Sequence, residues 1–305
     1  MTNTVESRHN TRGYGQERAD QMTGKIQVLA GVDILRKQKL LEMMATLMST
    51  VYAQPPFSEA GRNSSGQRLS LEDIRNKFPQ NEQLSDDVLI SKLQLGHYSG
   101  IAPYYPIEET TRALYDKVTM PGTLPIVALS SKPNDESKLR AFAAAYMCRT
   151  AGSARGIETA AELMIRTPYG AQHRNSLRDF AGEIARNKSI YDPRYPALCL
   201  DEFVVDPNEQ GKGLGRKVSF ELTSRLLLEG TRWQPNPLDR QGLFITSLGE
   251  QSKMGKAVMS AVERGVPVEL QRLERDGLTA VYSPNVTEIF MPELSQALRK
   301  LRISR

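Results

Sequence analysis

Two adjoining stretches hold residue types that could do chemistry together. One is the run Gln210-Gly211-Lys212-Gly213-Leu214-Gly215-Arg216-Lys217. It follows the apolar segment Leu198–Val205 and leads into a stretch where Leu214, Val218, Leu222 and Leu226 recur every fourth residue. That order reads as strand, tight turn and helix. The first turn of a helix leaves backbone N–H groups without intrahelical partners and carries partial positive charge. Glycines at 211, 213 and 215 keep side chains clear of an anion approaching those groups, and Lys212, Arg216 and Lys217 add formal charge at the same end. Cations there oppose the helix dipole, a conflict that a bound diphosphate resolves. The other stretch is the strand itself, where Cys199, Asp201 and Glu202 stand in near succession. On an unbroken strand alternate side chains share a face. Cys199, Asp201, Phe203 and Val205 then lie on one side, and Leu200, Glu202 and Val204 on the other.

These residues need a scaffold, and the apolar patterning predicts one. Leu40, Met44, Leu47, Met48 and Val51 fall three and four apart. They predict a helix over 32–51 that stops before Pro55-Pro56, with its methionines filling the core. Ser70, followed three positions later by Asp73, reads as a helix start. Thr123–Ser131 and Leu139–Arg149 read as strands around the polar loop SKPNDESK, and 157–165 and 176–185 as helices split by TPYG. Gly242–Leu248 reads as a strand and Ser252–Arg264 as a helix. Val266–Leu273 and Leu278–Ser283 read as a strand pair turning at Asp276-Gly277. Glu221 and Arg225 are spaced for an ion pair on the helix after the turn. The class is mixed α/β.

The 305 residues are 39% hydrophobic and 25% charged, with a net charge of +5, which suits a globular protein with a sizeable core. No run approaches the roughly 18 apolar residues of a membrane span. The polar start of the chain lacks a signal-peptide core. Cys148 and Cys199 cannot make a disulfide framework, so a reducing, cytoplasmic setting is expected. His9, His97 and His173 are too scattered for a metal site. The densest basic run, Arg299, Lys300, Arg302 and Arg305, is short and suits a helix end, so neither nucleic acid nor membrane is expected as a partner.

The turn lacks the Ser or Thr after Gly-Lys that a Walker loop requires, and its glycine spacing and late position depart from the Rossmann fingerprint. What it resembles is the acyl-CoA-binding signature of the GNAT superfamily of N-acetyltransferases: Gln or Arg, two residues, Gly, one residue, Gly or Ala. Gln210 through Gly215 meets every position, after an apolar strand ending in Val205-Asp206-Pro207. The resemblance implies a GNAT fold, a mixed and mostly antiparallel sheet flanked by helices. It further implies a GNAT domain over 25–292 with a helical insertion at about 151–197 before the central strand; polar composition without apolar periodicity reads as a disordered segment over 1–24, and the basic run as a helix or tail over 293–305. Acetyl-CoA is the implied co-substrate. The amides of Gly211 through Arg216 would hold its diphosphate, and Phe203, Val204 and Val205 would pair with its pantetheine arm where the central strands splay. An N–H near Val204 or Val205 would polarise the thioester carbonyl.

Counting back from the loop, positions 199 and 201 match those where relatives carry a base, which makes Asp201 the expected proton acceptor. Glu202 is the alternative, and Cys199 a candidate acyl carrier. The tyrosine that many relatives use as general acid is replaced by Ala261, with Ser260 or Tyr282 as possible substitutes. His97 and the Tyr104-Tyr105 pair fall where relatives build the acceptor pocket, or else are surface loop residues. The implied reaction is direct transfer of an acetyl group to a primary amine, most simply a small molecule, by a chain that could form a homodimer. Alternatives are acetylation of protein lysines or N-termini, and a CoA-binding module without catalysis.

Overall fold

The computed structural model describes residues 26–37, 39–55, 57–133, 135–149, 155–166, 174–186, 196–232, 242–246, 271–275 and 278–283. Its centre is a seven-stranded sheet in the order β1-β5-β6-β7-β8-β10-β9. The strands are β1 (Gln27–Ala30), β5 (Thr123–Lys132), β6 (Asp135–Cys148), β7 (Ala197–Val205), β8 (Gly242–Thr246), β9 (Gln271–Arg275) and β10 (Leu278–Ser283). Neighbours run antiparallel except β7 and β8, which are parallel. The long β5–β6 hairpin is the frame, and its period-two alternation buries both faces. Phe142, Ala144, Tyr146 and Cys148 join one core, and Ala141, Ala143, Ala145 and Met147 the other.

Helix α8 (Leu214–Arg232) covers the second face, and its Leu214, Val218, Leu222 and Leu226 are all buried, as their spacing predicts. Each such burial is worth about 1.5–3 kcal/mol, well above the few tenths that separate helix propensities, so packing decides the element. Facing β6 positions are alanines, which leave room for the helix. The first face is covered by α2 (Leu40–Tyr52), α5 (Ile107–Val118), α6 (Gly156–Ile165) and α7 (Arg174–Arg186), with Met44 and Met48 in the core as expected. Between α2 and α5 lies a smaller unit with its own apolar cluster. It comprises β2 (Gly61–Asn63), β3 (Arg68–Leu69) and β4 (Ile101–Pro103) in the order β3-β2-β4, with α3 (Leu71–Lys77) and α4 (Asp86–Gln94). The Ser70 cap forms a full capping box: Asp73 N–H donates to Ser70 Oγ at 3.1 Å and Ser70 N–H to Asp73 Oδ2 at 2.8 Å.

Four expectations change. The helix over 32–51 is divided into α1 (Val32–Arg36) and α2, because the chain turns through Lys39 at φ 64°, which no helix contains. The hairpin loop is tighter than its composition suggests, with β6 starting at Asp135 and register shifts around Ser131 absorbing the difference. The ion pair that forms on α8 joins Arg225 to Glu229 at 2.8 Å, and Glu221 is exposed. Most consequential is β7: Ala144 pairs with Glu202 and Ala145 with Leu200, leaving Asp201 as the extra residue of a β-bulge. Beyond it the alternation reverses. Val204 joins the core that holds Cys199, while Phe203 and Val205 pack toward α8. Glu202 therefore shares a face with Cys199, not with Leu200. The expected helix at 252–264, Ala261, Ser260, the 1–24 segment and the 293–305 tail lie outside the described residues.

Candidate active site

The site is built on β7. Its parallel pairing with β8 is described from Ala197↔Leu243 to Leu200↔Thr246, the last described residue of β8. Asp206 N–H donates to the Arg140 carbonyl on β6 at 2.8 Å. Antiparallel alternation then turns the Val204 N–H toward β6, and those of Phe203 and Val205 away from it. Of the two amides expected to polarise a thioester, only that of Val205 is not directed at β6.

The glycine turn sits at the same end of β7. Gly211 and Gly213 have φ of 77° and 78°, a region that other residues enter only with strain, and a Cβ on either would point into open space. Gly215 works differently from the expectation: a Cβ there would lie 3.2 Å from both Phe203 and Val205, so its role is close packing of α8 on β7. Leu214 is buried beneath the turn, while Gln210, Lys212 and Arg216 are exposed and Lys217 partly so. Gln210 Nε2 donates to the Val205 carbonyl at 3.3 Å, tying turn to strand. The acidic Glu209 is held by the buried Arg140 at 2.6 Å and approached by Lys212 at 3.7 Å. The hydrogen bond from Arg140 is the main cause that keeps its carboxyl below the usual range. The turn therefore presents N–H groups and positive charge to solvent.

At the bulge of β7 lies a buried ionic cluster. The bulge brings Asp201 and Glu202 to one cation, Lys117 from α5, whose Nζ is 2.5 Å from Asp201 Oδ2 and 3.5 Å from Glu202 Oε1. Tyr52, the last residue of α2, donates its hydroxyl to Glu202 Oε2 at 2.8 Å. Tyr52 stacks on Tyr105 with ring centroids 4.7 Å apart, and Tyr105 in turn donates to Glu59 at 3.2 Å. Burial would strip Lys117 of its proton, but the two carboxylates more than offset that and raise its pKa. Burial also pushes Glu202 up to about 7, with Asp201 adding to the rise and Lys117 opposing it. Tyr52 and Tyr105 are raised by burial and by the neighbouring carboxylates. Cys199 is fully buried, and burial first and Cys148 second hold its thiol protonated, which suits packing rather than acyl transfer.

The fold thus gathers Asp201, Phe203, Val205 and the whole of 210–217 around one strand end, with Tyr105 joining through Tyr52. His97 is exposed at the end of α4, and Tyr282 is on β10 opposite Leu243. Lys117, Tyr52 and Glu59 were not singled out in the sequence. Lys117 had a signal: Thr110, Leu114, Lys117 and Val118 form the buried stripe of α5, and a lysine at a core position demands a partner. Among the described residues, no group of His, Cys, Asp and Glu could hold a metal.

No protein-family profile matches this chain, and no curated protein sequence does. Three solved structures that match it are N-acetyltransferases or acetyltransferases. One, from Desulfovibrio desulfuricans, is described as an acetyltransferase of the GNAT family; it is 13% identical, with TM-score 0.33, over 85% of this chain and 96% of that one. The PaiA N-acetyltransferase from Thermoplasma acidophilum, in complex with coenzyme A, is 9% identical with TM-score 0.33, over 86% of this chain and 99% of that one. The mosquito arylalkylamine N-acetyltransferase like 5b is 11% identical with TM-score 0.37, over 85% and 99%. At such identities and scores these likenesses carry no argument about the site, which rests on its own residues.

Proposed function

We propose that this chain is an acetyl-CoA-dependent N-acetyltransferase of the GNAT type, acting on a small primary amine by direct attack. One observation carries the reading: the glycine turn at the start of α8, rich in positive charge, meets the end of β7 close to the buried carboxylates of Asp201 and Glu202. The diphosphate of acetyl-CoA would sit on the amides of Gly211 through Arg216, flanked by Lys212, Arg216 and Lys217. The pantetheine arm would lie along Phe203–Val205, with the Val205 N–H directed at the thioester oxygen.

An amine is an ammonium at neutral pH and must lose a proton before it attacks. We assign the acceptor of that proton to Glu202 rather than Asp201. Both carboxylates meet Lys117, but Asp201 makes the closer contact of 2.5 Å with a side-chain exposure of 1%, whereas Glu202 stands at 3.5 Å and retains 8%. A carboxylate with pKa about 7 is also better matched to the task. The neutral amine then forms the C–N bond, the tetrahedral adduct collapses with loss of the C–S bond, and the thiolate leaves with the remaining nitrogen proton. Glu202 returns its proton to solvent.

Ala261 at the position of the usual acid favours a second reading, a CoA-binding module without catalysis. The test is free-thiol release from acetyl-CoA with a panel of small amines and lysine peptides, alongside calorimetry with CoA. Amine-dependent release, greatest with small amines, is expected. Tight CoA binding without release would replace the enzyme by the binding module, release only with peptides would move the acceptor to proteins, and no CoA binding would overturn both readings.

A further inference from the structure

A lysine deep in a protein core costs free energy unless its charge is met, and Lys117 is 2% exposed. A single carboxylate at bonding distance would meet it. Here two converge, from consecutive residues of one strand, and they do so only because the bulge at Asp201 turns both side chains to the same face. The pair is unequal. Asp201 takes the short contact of 2.5 Å, while Glu202, at 3.5 Å, shares its other oxygen with Tyr52. The arrangement leaves Glu202 balanced between an attractive cation and a repulsive anion.

Resting on the acetyltransferase reading above, we infer that Lys117 and Asp201 form a positioning pair that sets the proton affinity and orientation of Glu202 without touching either substrate. Lys117 favours the ionised form of Glu202 and Asp201 the protonated form, and the two pull against each other within one strand turn. The other groups facing this cluster are Tyr52 from α2, Tyr105 after β4, Tyr146 from β6 and Cys199 from β7. Burial raises the pKa of all four, so among the described residues the carboxylates and the cation of this shell are Asp201, Glu202 and Lys117. The Tyr146 hydroxyl is fully buried, has no hydrogen-bond partner among the described residues, and is pushed further from ionising by the charges of Asp201 and Glu202, which places it against the same cluster.

The pair predicts shifts of opposite sign. With carboxyl-labelled glutamate in the full chain, the Glu202 resonance is identified by its loss in E202Q and followed through pH without any substrate. D201N is expected to lower the Glu202 midpoint by about one pH unit and K117M to raise it by about as much. K117M/D201N removes the ion pair as a unit and should titrate between the single variants. The acidic limb of kcat/KM for the amine should move in step with each midpoint, while the KM for acetyl-CoA stays within about twofold of the parent. Midpoints that do not move, or that move the same way in D201N and K117M, overturn the inference. Should K117M alone not fold, the double variant must still titrate above D201N, and failure to do so is equally decisive. Midpoints that shift as expected in a chain that acetylates no amine would sustain the pair's control of Glu202 and refute the acetyltransferase reading instead.

Discussion

At the scale of single residues, the chemistry turns on which charges are buried together. The pKa of Glu202 is raised from 4.5 to about 7, so the folded chain binds a proton there that the unfolded chain has lost. Stability from this group is complete below about pH 4.5 and falls as pH rises through about 7. In E202Q the fall should disappear, and thermal unfolding followed from pH 4 to 8 checks it; an unchanged slope would contradict the burial of that carboxyl. The glycines separate by role at the same scale. G213V places a side chain where φ is 78° and should weaken CoA binding at least about tenfold by calorimetry, with a modest loss of stability. G215A should cost about 1 kcal/mol in denaturant unfolding through the 3.2 Å contacts with Phe203 and Val205, and affect CoA binding less.

At the scale of elements, β7 does the positioning. Its first half pairs with β6 and β8, and its second half continues along β6 to Val205 opposite Ala141, where the glycine turn begins. The bulge between those halves re-aims Glu202 and leaves Phe203 and Val205 to seat α8. Helix ends are set locally in the same way. Replacing Ser70 by Ala removes one half of the capping box on α3 and should cost about 1 kcal/mol, read as faster amide exchange over 71–77. The core behind the site is less forgiving. F142A, in the middle of β6 and fully buried, should cost about 3–5 kcal/mol.

At the scale of the whole molecule, the two faces of the sheet divide the labour. One face takes α8 and with it the glycine turn, while the other takes α2, α5, α6 and α7 and holds the ionic cluster. Helices α6 and α7 contribute Ile157, Leu163, Met164 and Leu177 to the same core as Cys199 and Val204. Deletion of 156–186 should therefore yield an unfolded or aggregated chain by circular dichroism and sedimentation, because it uncovers that face; a folded product with native CoA affinity would show the helices to be dispensable. Ligand linkage operates at this scale too. CoA at a hundred times its dissociation constant should stabilise the fold by about 2.7 kcal/mol, seen as a raised melting temperature that G213V cuts by about half or more.

By itself the sequence determined what local rules govern: the strand–turn–helix at 198–226, the glycines and cations gathered at Gln210–Lys217, the β5–β6 hairpin, the capping box and the buried stripe of α8. Those features depend on periodicity, backbone freedom and nearest-neighbour charge, all readable along the chain. Only the tertiary structure decided which carboxylate faces which cation. The extra residue of a bulge has no mark in composition, yet it reverses the alternation of every side chain after it and moves Glu202 to the face of Cys199. Lys117 lies 84 positions before Asp201, and its role exists only because α5 packs over that strand. Tyr52 and Tyr105 likewise acquire their partners through packing, since a hydrogen bond between distant residues is specified by the fold and not by either residue's neighbours.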